Sequence, residues 1–167
     1  MSADFLVEGA PPADVWHENS PVAEVWDENR LVWERPALWR LRTTSDLEGT
    51  GTSYITVTAV AADAPRTTMQ GHRIMVPVRC PNTFQVRITA TGSVSGGTIP
   101  QSNLRIIHNG STVSTSSNVS SGTVTTSATR TVSPGDTVEM QYLGEGQLWR
   151  RPTLAAGATL SVEPVGY

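Results

Sequence analysis

Asp136 and Glu139 are the two carboxylates whose spacing could suggest acid–base chemistry in this chain of 167 residues. A glycosidase uses such a pair, with one carboxyl as acid and the other as base or nucleophile. Asp136, however, ends the run Ser133-Pro134-Gly135-Asp136, which is a usual turn sequence. Glu139 lies on the alternating strand that follows this turn. We therefore assign neither residue to catalysis and predict that the chain is not an enzyme.

No other set of residues predicts a catalytic, metal or cofactor site. His17, His72 and His108 are far apart in the sequence and lack the spacing of metal ligands. His108 directly precedes a predicted hairpin turn, so we expect it to be an exposed flank of that turn. Cys80 is the only cysteine, which excludes an intrachain disulfide, and we expect it to be a small buried hydrophobe. The serines lack a G-x-S-x-G setting.

The charge of the chain argues against two classes of partner. The net charge is -3 and no long basic stretch occurs, which argues against binding of nucleic acid or of an anionic membrane surface.

The amino terminus lacks a basic segment followed by an apolar core, and no apolar run reaches the roughly 20 residues that span a bilayer. All 12 basic residues are arginine, which indicates a host of high GC content.

The composition changes near residue 45 and predicts two parts of the chain. Four of the five tryptophans and more than half of the acidic residues precede it, whereas Ser, Thr, Val and Gly dominate the rest. We predict an N-terminal arm over residues 1–42, a joint rich in Gly, Thr and Ser over 43–53, and a globular domain over 54–167.

The arm contains a repeat. The run Asp14-Val15-Trp16-His17-Glu18-Asn19 recurs as Glu24-Val25-Trp26-Asp27-Glu28-Asn29, and a shorter copy follows at Leu31-Val32-Trp33-Glu34. The repeat predicts a β-meander with strands at 13–17, 22–27 and 31–35 and turns at 19–21 and 29–30. Because two or three short strands are marginal in water, the meander needs another surface, on its own domain or on a neighbouring subunit.

The apolar residues of the arm are the predicted interface. A tryptophan carries a large contact area and is a common anchor in protein–protein interfaces. Stacking of the tryptophans on sugar rings is the alternative. The predicted interface residues are Val15, Trp16, Val25, Trp26, Val32, Trp33 and Trp39.

The remainder of the chain alternates apolar and polar residues in short runs, which is typical of half-buried strands. Asn109-Gly110 predicts a type I′ hairpin, since that turn needs positive φ at both positions. The fold class is therefore all-β, an antiparallel β-sandwich of jelly-roll or immunoglobulin-like topology. The predicted strands cover residues 54–60, 74–78, 84–90, 104–108, 111–114, 122–132, 137–142 and 158–163.

The sequence resembles one protein family. The repeats ending in Leu31-Val32-Trp33-Glu34-Arg35-Pro36 are similar to the amino-terminal segments of minor tail proteins of actinobacteriophages. The runs 104–113 and 134–138 resemble their β-sandwich domains. The resemblance implies a virion structural protein with no catalytic residues, and the absence of lysine fits an actinobacterial host.

These observations lead to one main hypothesis and two alternatives. The main hypothesis is a minor tail or tail-tip protein that is assembled in the host cytoplasm into the virion, where it contacts copies of itself and other virion proteins. A capsid decoration or head-fibre protein is the first alternative. A carbohydrate-binding module that attaches to a host-surface glycan is the second. Nucleic-acid binding and membrane insertion are not expected, and no cofactor is predicted.

Overall fold

The computed structural model describes residues 36–80, 83–97, 101–146 and 151–166 in full. Of the residues before 36, it describes only the backbone pairing of four short strands. These are Trp16–His17 (β1), Ser20–Pro21 (β2), Glu24–Asp27 (β3) and Arg30–Glu34 (β4). The predicted interface residue Val15 lies outside the described residues.

The arm forms two separate hairpins instead of the predicted three-stranded meander. β1 pairs with β2, and β3 pairs with β4, each as a two-stranded antiparallel sheet. The turn predicted over 19–21 is wrong in part, because Ser20 and Pro21 pair with His17 and Trp16. The second turn also shifts, because Arg30 pairs with Asp27 as a strand residue.

The rest of the described chain is built of short antiparallel strands and contains no helix, and therefore none that could span a membrane. Their bounds are Trp39–Thr43 (β5), Leu47–Glu48 (β6), Ile55–Thr56 (β7), Val60–Ala62 (β8), Met69–Gln70 (β9), Arg73–Met75 (β10), Phe84–Ser95 (β11), Ser102–His108 (β12), Ser111–Thr115 (β13), Gly122–Val132 (β14), Thr137–Gly144 (β15), Thr153–Leu154 (β16) and Thr159–Pro164 (β17).

These strands form two antiparallel sheets. Sheet I has the order β14-β11-β17-β5-β8, with β16 beside the far end of β11 and β6 beside β16. Sheet II has the order β13-β12-β15-β10-β9, with β7 also beside β15. From β11 onward the chain alternates between the sheets, since β12 and β13 are in sheet II, β14 in sheet I, β15 in sheet II and β17 in sheet I. This is a jelly-roll sandwich, one of the two predicted topologies.

The core lies between the sheets. Period-two alternation turns every second side chain of β11 inward, namely Val86, Ile88, Ala90 and Val94, each at most 2% exposed. The inward residues of sheet II include Leu104 and Ile106 on β12. Burial of one such aliphatic side chain stabilises the fold by about 1.5–3 kcal/mol. Cys80 is 4% exposed and belongs to this core, as expected.

Trp39 corrects the predicted boundary of the arm. It was expected to be an interface anchor, yet it is 0% exposed and packs 6.1 Å from the ring of Phe84. β5, which carries it, pairs with β17 and β8 inside sheet I. The predicted joint is also part of the sandwich, because β6 pairs with β16. The sandwich therefore begins at Pro36, which is buried, and the arm ends at residue 35.

The strand predicted over 54–60 is interrupted. Its first part, β7, pairs with β15 in sheet II, whereas its last residue begins β8 in sheet I. Val57, which lies between them, is buried and donates its backbone N–H to Met140 O at 3.1 Å. The chain crosses here from one sheet to the other, so a single run of alternating residues serves both.

Most other predicted strands are confirmed. β14 has the predicted bounds, and β11, β12 and β15 contain their predicted runs and extend beyond them. The strand predicted at 74–78 ends at Met75, before Pro77, which cannot donate a hydrogen bond to a neighbouring strand. Asn109 and Gly110 have φ values of 48° and 79°, so both are left-handed, as the type I′ prediction requires.

The hairpin turn should be sensitive to a β-branched residue. Gly110→Val is expected to lower the free energy of unfolding by about 1–2 kcal/mol, because valine is strained at positive φ. No described atom lies within 4 Å of a Cβ built at Gly110, so the cost is conformational and not steric. Gly110→Asn, which tolerates this conformation, is the matched control and should cost less. Urea unfolding measures both, and an unchanged Gly110→Val midpoint would contradict the assignment.

Trp39 should be distinguishable from the tryptophans of the arm. Trp39→Ala is expected to cost about 3–5 kcal/mol in urea unfolding, the usual loss for a large aromatic residue in a core. Trp33→Ala, the control on the other side of Pro36, should leave the unfolding midpoint nearly unchanged. Equal destabilisation by the two substitutions would place the arm within the core of the sandwich.

Candidate functional site

The backbone register brings two of the predicted anchors of the arm opposite other apolar residues. Val25 pairs with Trp33, and Trp26 pairs with Leu31. The register shifts between these two pairs, which leaves Val32 as the extra residue of a bulge. Trp16 pairs with Pro21 in the first hairpin. The predicted interface therefore divides into two hairpins, and Trp39 is removed from it.

The outer face of sheet I is rich in hydroxyl groups. The outward-pointing residues of the adjacent strands β14, β11 and β17 lie side by side in rows, as the register of these strands shows. Thr125, Thr91 and Thr159 form one row, and the Thr91 and Thr125 hydroxyl oxygens are 3.2 Å apart. Ser127, Thr89 and Ser161 form the next. Because serine and threonine are short, the backbone lies close beneath this surface and leaves room for an extended partner.

Two arginines on this face lack a partner among the described residues. Arg42 and Arg87 are exposed, and no hydrogen bond or ion pair joins either of them to another described side chain. Arg40, in contrast, binds Asp63 with its Nε 2.8 Å from a carboxylate oxygen. Glu163 is the exposed carboxylate opposite Arg87 in the register. The outer face of sheet I is therefore polar, with unpaired positive charge.

The outer face of sheet II carries a nearly buried polar network centred on Glu139, which is 7% exposed. One carboxylate oxygen lies 2.6 Å from Arg73 Nε and 3.2 Å from His72 Nε2. The other accepts a hydrogen bond of 3.0 Å from the amide of Gln141. Arg73 belongs to β10, whereas Glu139 and Gln141 belong to β15, so the pairing of β10 with β15 brings these side chains together.

The network continues across the sheet to a tyrosine. Arg105 donates to Gln141 at 2.8 Å and lies over the ring of Tyr54, with 3.7 Å between its guanidinium carbon and the ring centroid. The Tyr54 hydroxyl donates to Asn103 at 2.6 Å, and Asn103 donates to Asn118 at 2.6 Å. The arginines of this face are thus bound to their own sheet.

The environment of Glu139 keeps it ionised. Burial raises the pKa of its carboxyl, but the hydrogen bonds from Arg73 and Gln141, the charge of Arg73 and the hydrogen bond from His72 outweigh it. The net effect is a pKa below the ordinary value of 4.5. A carboxylate held this way is a poor base, since its charge and its lone pairs are already stabilised.

Asp136 joins two turns. Its side chain accepts hydrogen bonds from Asn109 at 2.7 Å and from the Ser133 backbone at 2.8 Å, and it lies 2.9 Å from His108 Nε2. Burial raises the pKa of the Asp136 carboxyl, but the hydrogen bonds from Asn109, Ser133 and His108 and the charge of His108 outweigh this effect. The pKa of Asp136 is therefore below its ordinary value of 3.8. The expectation that His108 is an exposed flank is wrong, because its side chain is 14% exposed and pairs with Asp136.

In both networks the polar groups are held by hydrogen bonds to one another. Both carboxylates named above are occupied by donors from their own fold. Among the described residues, no group of three or more His, Cys, Asp and Glu side chains could hold a metal ion. Sequence reasoning missed the network around Glu139, because its partners Arg73 and His72 lie 66 and 67 residues from that carboxylate along the chain.

Comparison with known proteins shows the fold alone. A crystal structure of murine APRIL superposes with a TM-score of 0.56 at 9% identity, covering 77% of this chain and 98% of that one. The structure of Eiger TNF from S. frugiperda gives 0.57 at 9% identity, covering 78% and 92%. The unmatched part is about the size of the arm, which is 35 of 167 residues. No protein-family model and no curated protein matches the sequence.

The Glu139 network should make stability depend on acid pH. Because the pKa of Glu139 is lower in the folded state, its contribution is complete above the ordinary value of 4.5 and is lost as the pH falls through the folded pKa. Glu139→Gln should cost about 1–3 kcal/mol at pH 7 and flatten the loss of stability below pH 4.5. Glu163→Gln is the exposed control. Urea unfolding from pH 7 to pH 2.5 tests this, and parallel curves for Glu139→Gln and wild type would contradict it.

Proposed function

We propose that this chain is a non-catalytic structural component of a bacteriophage virion, a minor tail or tail-tip protein, and that its arm mediates assembly. The observation that carries the proposal is the strand pairing of the arm. Among the described strands, β1 pairs with β2 and β3 with β4 in sheets of their own, whereas β5 to β17 form two sheets that enclose one core.

The two parts of the chain differ in how much apolar surface each can bury. The sandwich encloses its own core with strands that begin after Pro36. A two-stranded hairpin has only two faces and no second layer, so alone in water it is marginal. The arm nevertheless contains Trp16, Trp26 and Trp33, which are costly to leave in water and are the residue type that dominates interfaces. A partner surface resolves this conflict.

Two further observations support the proposal. The Val-Trp repeats and the sandwich runs resemble those of minor tail proteins of actinobacteriophages. The two carboxylates best placed for chemistry, Asp136 and Glu139, are occupied by structural hydrogen bonds, which supports a role without catalysis. The jelly roll itself supports no function over another, because one fold hosts many activities.

Deletion of residues 1–35 is expected to separate folding from assembly. The truncated chain should keep a cooperative thermal transition, since Trp39 and the remainder of the core stay in place. It should be absent from purified particles when it replaces the full chain in an infected host. A triple Trp16→Ala, Trp26→Ala, Trp33→Ala variant should behave in the same way. Calorimetry and quantitative mass spectrometry of particles provide the two readouts.

The outcomes separate the alternatives. Deletion through Thr43, which removes β5 and Trp39, is the matched control and should abolish folding. Normal incorporation of the 1–35 deletion would show that the arm is dispensable and would refute the assembly role. The copy number of the chain in wild-type particles distinguishes the two virion locations. A few to a few tens of copies would favour a tail tip, and hundreds of copies would favour a capsid. Absence of the wild-type chain from particles would refute the virion assignment.

A further inference from the structure

We propose that the outer face of sheet I is the surface to which the arm of a second copy binds. This inference rests on the proposed function and names the surface that it requires. The occupant is residues 1–35 of a neighbouring chain. Three independent observations lead to it: the distribution of charge, the state of the arginines on the two sheet faces, and the place where the arm leaves the sandwich.

The two parts of the chain have opposite charge. Residues 1–35 contain eight acidic residues and two arginines, a net charge of -6. Residues 36–167 contain ten arginines and seven acidic residues, a net charge of +3. Such complementarity accelerates encounter and orients two surfaces, although it contributes less to the final affinity than packing does. The arm of one copy is therefore attracted to the sandwich of another.

The arginines show which surface of the sandwich is available. Arg73 and Arg105 on sheet II are bound to Glu139 and Gln141. Arg42 and Arg87 on sheet I have no described partner and are exposed. The register places them two strands and four residues apart, roughly 16 Å.

The chemistry of the repeat suits these arginines. Each Val-Trp pair is followed within two residues by a glutamate, as in Trp16-His17-Glu18 and Trp26-Asp27-Glu28. The carboxylate can pair with a guanidinium, while the indole can stack on it or lie on the methyl groups of the threonine rows. Both interactions are favoured by short side chains around the arginines, which the hydroxyl rows of sheet I provide.

The position of the arm favours exchange between copies. Arg40 and Arg42 alternate along β5 on this same face, and Leu38, which directly precedes β5, is 40% exposed. The chain therefore enters the sandwich next to the proposed surface, and the strands described in the arm pair with none of those described in the sandwich. An arm that starts beside one such surface and binds the same surface of the next copy forms a head-to-tail contact, which closes into a ring or continues as a filament.

Sedimentation velocity of the full-length chain tests the inference. Wild type should self-associate, and raising the salt from 50 mM to 500 mM should weaken the association, because exposed charges are screened. The double variant Arg42→Glu, Arg87→Glu should weaken association about tenfold or more at low salt. Arg87→Glu alone is compared with Arg79→Glu, an exposed arginine outside the sheet faces, which should associate like wild type.

The decisive experiment exchanges the charges of the two proposed partners. Glu18→Arg, Glu28→Arg should weaken association by itself and should restore it in the Arg42→Glu, Arg87→Glu background. A double variant that associates like wild type, or a wild-type chain that stays monomeric at every concentration, would overturn the inference. Neither result touches the proposed function, which fails instead if the 1–35 deletion enters particles normally.

Discussion

The pairing of β11 with its neighbours on both sides is the constraint on which the rest of the fold depends. β11 runs for 12 residues and pairs with β14 along almost its whole length on one side, and with β17 and β16 on the other. Its strict alternation commits one face to the core and the other to solvent. A slip of one residue would exchange the faces, exposing Ile88 and burying Arg87. Gly92 adds a second restriction, because a Cβ there would lie 2.6 Å from the Leu154 side chain.

The elements that were predicted correctly are those whose conformation depends mainly on residues that are neighbours in the sequence. Asn109-Gly110 fixes a turn by its backbone conformation, and the run 122–132 is rich in β-branched threonine, which favours a strand, so both were predicted correctly. The run 54–60 also alternates, yet it is divided between the two sheets. Alternation reports that a segment is half buried, but it does not report which neighbour the segment pairs with, because that depends on residues far away in the chain.

Trp39 shows the same restriction for the domain boundary. In composition it belongs with Trp16, Trp26 and Trp33, since all four lie in an acidic, Trp-rich stretch. What separates it is pairing with Val162 and packing on Phe84, both contributed by the distant part of the chain. His108 was misassigned for a related reason, because its partner Asp136 lies 28 residues away. Polar partners that meet between neighbouring strands far apart in the chain leave no local pattern to read.

The two faces of the sandwich use their charges in different ways. Sheet II surrounds a nearly buried carboxylate with donors, so its polar groups are occupied by one another and its outer face is stabilised as a unit. Sheet I leaves Arg42 and Arg87 exposed above rows of short hydroxyl side chains. A chain that needed only stability and solubility could pair these arginines as it pairs Arg40 with Asp63. Instead, the excess of negative charge lies in residues 1–35, with a net charge of -6, and the excess of positive charge lies in residues 36–167, with a net charge of +3, so the sandwich does not balance its own charge.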